Sequence, residues 1–175
     1  AYMMTYLLEG VVQRGTAKQA ASLGWPLAGK TGTTNKFTDA WFIGFSPSLS
    51  AGVWVGYDTK VTIGNRQSGA VVALPIWVDF FKRVIEDKKK EYQSAQAASL
   101  PVEDEGNLAA SGTGFIEDFE IPPNLTFVTV DRKTGLLASP TCKYPFREVF
   151  LPGTEPTRYC SLQDHLRVLD YYSEK

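Results

Sequence analysis

Three short stretches in close succession, residues 27–34, 40–46 and 51–58, are rich in β-branched and aromatic side chains, and the last two are joined through the turn cluster Pro47-Ser48-Leu49-Ser50. Such an arrangement predicts an antiparallel run of three strands. On both sides the apolar period changes. Met3, Met4, Leu7, Leu8, Val11 and Val12 recur at three- and four-residue spacings, so residues 2–14 read as a helix that Gly15 stops, with 16–24 as a connection. From Ala70 onward Val72, Ile76, Trp77, Phe80, Phe81 and Val84 form a second helical stripe, with Pro75 near its entrance. The fold class expected is α+β, an antiparallel sheet flanked by helices. Trp41, Trp54 and Tyr57 are then expected to pack the sheet against those helices, and Lys88-Lys89-Lys90 to be a solvated last helical turn.

A hydrophobic fraction of 43% over 175 residues is ample for a core. Eighteen basic against nineteen acidic residues leave a net charge of −1, which lacks the electrostatic footprint of a nucleic-acid binder. The chain opens at Ala1-Tyr2 without a signal-peptide pattern and contains no apolar run long enough to span a bilayer. Residues 93–112 have linker composition, mostly Ala, Ser, Gln, Gly and acidic groups. They separate residues 1–92 from a β- and loop-rich tail, 113–175, in which 125–131 reads as a strand and 134–138 as a turn with an extension.

The chemistry concentrates in Gly29-Lys30-Thr31-Gly32-Thr33-Thr34. In an extended strand the hydroxyls of Thr31 and Thr33 fall on one face, about 7 Å apart. Gly32 leaves room for a ligand to approach the backbone and take main-chain hydrogen bonds. Lys30 supplies a fixed positive charge, although alternation turns it away from the two threonines, so it must reach round the strand edge. An anionic ligand with an extended backbone suits such a strand. A competing reading uses the same residues: Gly24-Trp25-Pro26-Leu27-Ala28-Gly29-Lys30-Thr31 satisfies the phosphate-loop pattern of nucleotide triphosphatases. That loop demands a strand before it and a helix beginning at the Lys-Thr, whereas Lys18 to Ser22 precede it and Gly32-Thr33-Thr34-Asn35 follow. A third reading, a non-catalytic extracellular binding module, suits the tail better than residues 1–92.

Lys30-Thr31-Gly32-Thr33, followed by Asp39-Ala40-Trp41-Phe42-Ile43-Gly44-Phe45 and Ala51-Gly52-Val53-Trp54-Val55-Gly56-Tyr57-Asp58, resembles the transpeptidase domain of the penicillin-binding proteins, the class A members above all. Gly15-Thr16-Ala17 fits as well. The segment Val130-Asp131-x-x-Thr134-Gly135-Leu136, with Pro152-Gly153-Thr154-Glu155-Pro156-Thr157, is similar to the tail that trails many class A enzymes. A lone Lys-Thr-Gly is a weak signal; the run from Ala28 to Asp58 is a strong one. In that family a serine of a Ser-x-x-Lys motif attacks the penultimate D-alanine carbonyl of a peptidoglycan stem peptide, and Ser-x-Asn and Lys-Thr-Gly motifs complete the site. Neither Ser-x-x-Lys nor Ser-x-Asn occurs in this sequence. The resemblance therefore implies part of a transpeptidase domain with its nucleophile elsewhere, accompanied in class A members by a glycosyltransferase.

Carried onto this chain, the resemblance implies that Lys30 attracts the substrate carboxylate and supports proton movement. It makes Thr31 and Thr33 hydroxyl donors, with Gly32 and Thr34 beside them in the substrate site, and gives the Thr33 N–H to an oxyanion hole. The partners implied are stem peptides ending in D-Ala-D-Ala, β-lactams and the remainder of the domain, at the outer face of the cytoplasmic membrane and anchored by a segment outside this chain. No cofactor is implied. In that oxidising setting Cys142 and Cys160, eighteen residues apart, are expected to form a disulfide, contributing about 3 kcal/mol by loop closure. His165, the one histidine, reads as an exposed surface residue with too few partners for tetrahedral zinc, so no metal is expected.

Overall fold

The computed structural model describes residues 1–98 and 117–173, which fall into two units: Met4–Phe119, and Glu120–Lys175 together with Ala1–Met3. In the first, strands β1 (Ala28–Thr33), β2 (Asp39–Phe45) and β3 (Ser50–Gly56) form an antiparallel sheet in the order β1-β2-β3. Thr31 stands opposite Phe42, and Phe42 opposite Val53. Directly opposed residues share a face, so Thr31, Thr33, Ala40, Phe42, Val53 and Val55 lie on one side and Lys30, Gly32, Trp41, Ile43 and Trp54 on the other. Ala40 and Phe42 are fully buried, and Val53 and Val55 pack against the core. Trp41, Trp54 and Tyr57 do not cement the helices as expected. They are 42%, 42% and 57% exposed, because once Phe42 faces the core, alternation turns Trp41 outward.

The ring that fills the core comes from the helix. α2 (Leu74–Ala98) follows a π-helical segment, Gly69–Ala73, and buries Leu74, Trp77, Phe81 and Ile85, while Ile76 and Phe80 of the expected stripe are half-exposed. Trp77 stacks on Phe81 at 3.9 Å, meets Phe42 edge-on at 5.0 Å and donates its Nε1–H to the Ala51 carbonyl at 3.0 Å. Burial of each large side chain contributes about 1.5–3 kcal/mol. α2 runs on to Ala98, so residues 93–98 are helix rather than linker. Ala and Gln are strong helix formers, and their composition reads equally well either way. The remainder of the expected linker, 99–112, lies outside the described residues. The lysine run is thus mid-helix: Lys90 pairs with Asp87 at 3.1 Å and Lys88 donates to Ser48 Oγ at 2.6 Å.

α1 (Tyr2–Arg14) ends where Gly15 predicts, but only Gly10 and Val12 are buried, and Met4 and Leu7 are exposed. The connection after it holds a 3-10 helix, Lys18–Leu23, closed by Gly24 at φ 61°. Ala17 and Ala20 join the core there.

In the second unit β4 (Thr126–Asp131) pairs antiparallel with β5 (Pro145–Phe150), and Leu137 bridges to Val130 on one side and Tyr159 on the other. α3 (Leu162–Ser173) follows, so the tail is not only strand and loop. Its start carries a reciprocal cap: Ser161 Oγ accepts the Asp164 N–H at 3.4 Å, and Asp164 Oδ2 accepts the Ser161 N–H at 2.8 Å. Among the described residues no helix is long and apolar enough to cross a membrane.

Candidate active site on the edge strand

β1 has β2 on one side and no strand on the other among the described residues. A strand so placed offers its outer N–H and C=O groups to an extended partner. Lys30 starts on the exposed face, and its ammonium folds back to donate to the Thr31 carbonyl at 2.9 Å, with Thr31 Oγ1 at 3.4 Å. The lysine thus reaches the threonine side despite the alternation that separates them. Thr31 Oγ1 lies 3.1 Å from Thr16 Oγ1. Thr33 Oγ1 accepts the Gly69 N–H at 3.0 Å, and because a hydroxyl can accept and donate at once, its hydrogen stays available to a ligand. Thr33 and Lys30 are exposed and Gly32 half-buried. A Cβ on Gly32 would come 3.2 Å from Trp41 Cβ, so the bare backbone also fits the sheet.

Thr34 is placed differently from the other threonines. Its Oγ1 accepts the Asp39 N–H at 2.8 Å and lies 2.8 Å from Thr38 Oγ1, closing the β1–β2 connection. That connection includes Lys36 and Phe37 at positive φ. Asp39 also receives Trp54 Nε1–H at 3.1 Å and Thr38 Oγ1 at 2.9 Å. The bond from Trp54, then that from Thr38, with smaller help from Thr34 and Lys60, holds the Asp39 carboxyl below its ordinary pKa. An open cleft of about 590 Å³ lies at this end of the strand, walled by Thr33, Thr34, Lys36, Thr38, Asp39 and Lys60. Lys30 and Thr31 are not among its walls; Thr33 is where the edge and the cleft meet.

Thr16, Asp39 and Gly69 support this site, yet sequence reasoning gave none of them a role. Asp39 and Thr16 stand inside Asp39-Ala40-Trp41 and Gly15-Thr16-Ala17, the strings that carry the family resemblance, and that is the signal the sequence offers for them. The phosphate-loop alternative is overturned by the backbone: Lys30 sits within β1, a 3-10 helix rather than a strand precedes the pattern, and no helix begins at Lys30-Thr31.

In the second unit Cys142 and Cys160 are joined as a disulfide. His165 is not the exposed residue expected. Its side chain is 24% exposed, with Nδ1 3.8 Å from Asp131 Oδ1 and Nε2 3.9 Å from Cys142 Sγ. The cap at Ser161 starts α3 directly after Cys160, and the first turn carries His165 inward.

An edge strand bearing Lys-Thr-Gly-Thr, on an antiparallel sheet packed against helices, is the arrangement expected of a penicillin-binding transpeptidase domain. Two family models match the chain: the penicillin binding protein transpeptidase domain over residues 1–82, and the penicillin-binding protein 1A C-terminal domain over residues 121–165. The chain belongs to the penicillin-binding proteins. Among its relatives, penicillin-binding protein 1A of Aquifex aeolicus (strain VF5) is 42% identical over 156 residues, covering 89% of this chain and 18% of that protein. Penicillin-binding protein 1A of Rickettsia conorii is 32% identical over 175 residues, covering 99% of this chain and 19% of that protein. The crystal structure of penicillin-binding protein 1A from Haemophilus influenzae superposes with a TM-score of 0.66 at 26% identity, over 91% of this chain and 21% of that one. The chain thus spans about a fifth of the proteins it matches.

Proposed function

We propose that this chain is part of a peptidoglycan D,D-transpeptidase that cross-links stem peptides through an acyl-serine intermediate and is acylated by β-lactams. The nucleophile lies in polypeptide outside these residues. The observation that carries the reading is the Lys30 ammonium folded onto Thr31 beside the edge of β1 that has no strand partner among the described residues, with the Thr33 hydroxyl able to donate. The stem peptide would lie along that edge as an added strand. Its terminal carboxylate would meet the potential of Lys30 and the hydroxyls of Thr31 and Thr33. Gly32 would keep the approach open.

Backbone groups of residues two apart in a strand point the same way. The Thr33 N–H would therefore lie on the side of the Thr31 carbonyl and, paired with the N–H of the absent serine, form the oxyanion hole. One such donor is worth about 3 kcal/mol of transition-state stabilisation. Thr34 would act by closing the turn through Asp39 rather than by touching substrate. The whole protein would work at the outer face of the cytoplasmic membrane and carry a glycosyltransferase as well.

Fluorescent penicillin tests the division of labour. The 175-residue chain alone, which has no Ser-x-x-Lys, is expected to remain unlabelled, while the full-length protein is labelled stoichiometrically. Hydroxylamine-labile labelling of the chain alone would remove the external nucleophile.

A further inference from the structure

We propose that Asp131, Cys142, Cys160 and His165 are the ligands of one divalent cation of zinc's class, bound by the cysteines as thiolates, the disulfide being the metal-free oxidised form of the same pair. One donor atom from each residue lies within 4.8 Å of all the others. A tetrahedral ion with bonds of about 2.0–2.3 Å sets its ligands roughly 3.3–3.8 Å apart, so the cluster needs small side-chain shifts and an opened S–S bond. The donor set, two sulfurs, one imidazole and one carboxylate, is of the kind zinc takes. Counting histidines alone, which argued against a metal in the sequence, overlooked this carboxylate.

Three further observations point to a cation. Asp131 is fully buried, and while its Oδ1 accepts the N–H groups of Lys133 and Thr134 at 3.0 Å, its Oδ2 has no hydrogen-bond partner. A buried carboxylate oxygen without a partner is costly unless a cation meets it. Ser139 supplies donors to sulfur: its N–H is 3.2 Å from Cys142 Sγ, and its hydroxyl is 3.3 Å from that atom and 3.6 Å from Cys160 Sγ. Such bonds stabilise a thiolate. The Cα atoms of the cysteines stand 7.4 Å apart, beyond the roughly 4.4–6.8 Å usual for a cross-linked pair.

The chemistry balances in two steps. A phosphine reductant gives two electrons and the S–S bond breaks; one water supplies the oxygen of the phosphine oxide and the proton that each sulfur gains. The cation then displaces both thiol protons to solvent as two metal–sulfur bonds form.

Full-length protein, reduced with a phosphine under anaerobic conditions, is titrated with Co²⁺ and followed by absorbance. The expected result is one equivalent bound, with thiolate-to-cobalt charge-transfer and tetrahedral d–d bands that Zn²⁺ abolishes. Cys160→Ser should cut the charge-transfer band by about half or more, and His165→Ala and Asp131→Asn should each weaken Co²⁺ binding at least tenfold. The Asn variant keeps an acceptor for the turn at Lys133 and Thr134. Absence of the bands in the reduced protein, or cobalt affinity unchanged in both His165→Ala and Asp131→Asn, overturns the proposal.

Discussion

Asp164 gathers more donors than any other carboxylate described. Arg158 gives two bonds of 2.9 Å, the Ser161 N–H one of 2.8 Å and its hydroxyl one of 2.6 Å. The bonds from Arg158 first, then those from Ser161, hold the Asp164 pKa far below the usual carboxylate range. A depressed folded-state pKa means the folded form binds fewer protons, so the stability it contributes is full above the unfolded value of about 3.9 and drains away as pH falls through the folded value. Asp164→Asn is therefore expected to lower the thermal midpoint of the tail at neutral pH, and the gap from wild type to narrow as pH drops from about 6 to about 2. Circular dichroism melts across that range check it; a gap independent of pH would refute the assignment. The helix that the Ser161 and Asp164 cap opens was not anticipated, the tail being read as strand and loop. Nor was the Arg158 partner of Asp164, because nothing local aims that side chain back across the turn.

At the scale of elements, the π-helical segment seats directly on the sheet. A Cβ on Gly69 would overlap the Trp41 carbonyl oxygen and lie 2.6 Å from that of Gly32, so only glycine lets the backbone settle there and donate to Thr33. Gly69→Ala is expected to destabilise the first unit by about 1–3 kcal/mol through overpacking. A shift of the urea midpoint to lower concentration reports it, and an unchanged midpoint would contradict this packing. The three strands and both flanking helices were legible because period and turn chemistry are local. Which face of the sheet met the helices was not: Trp41 and Phe42 are adjacent, and only the position of Trp77 in the fold decides between them. β5 was missed because Pro145 and alternating charges in Pro-Phe-Arg-Glu-Val-Phe disguise a strand whose partner, β4, lies beyond a turn.

For the molecule as a whole, the proposed function gives this chain one wall of the site: a strand edge, a lysine and two hydroxyls. Residues 28–58 announced it because the motif is contiguous, whereas the ties from Thr31 to Thr16 and from Thr33 to Gly69 join residues 15 and 36 apart and exist only after folding. The most direct measurement is the second-order rate of acylation of the full-length protein by fluorescent penicillin, made for wild type, Lys30→Ala and Thr33→Ala at matched thermal midpoints. The account predicts that both variants fall by about 100-fold or more, as expected for loss of preorganised donors to a developing oxyanion and its carboxylate. Rates equal to wild type in both would place the cleft elsewhere.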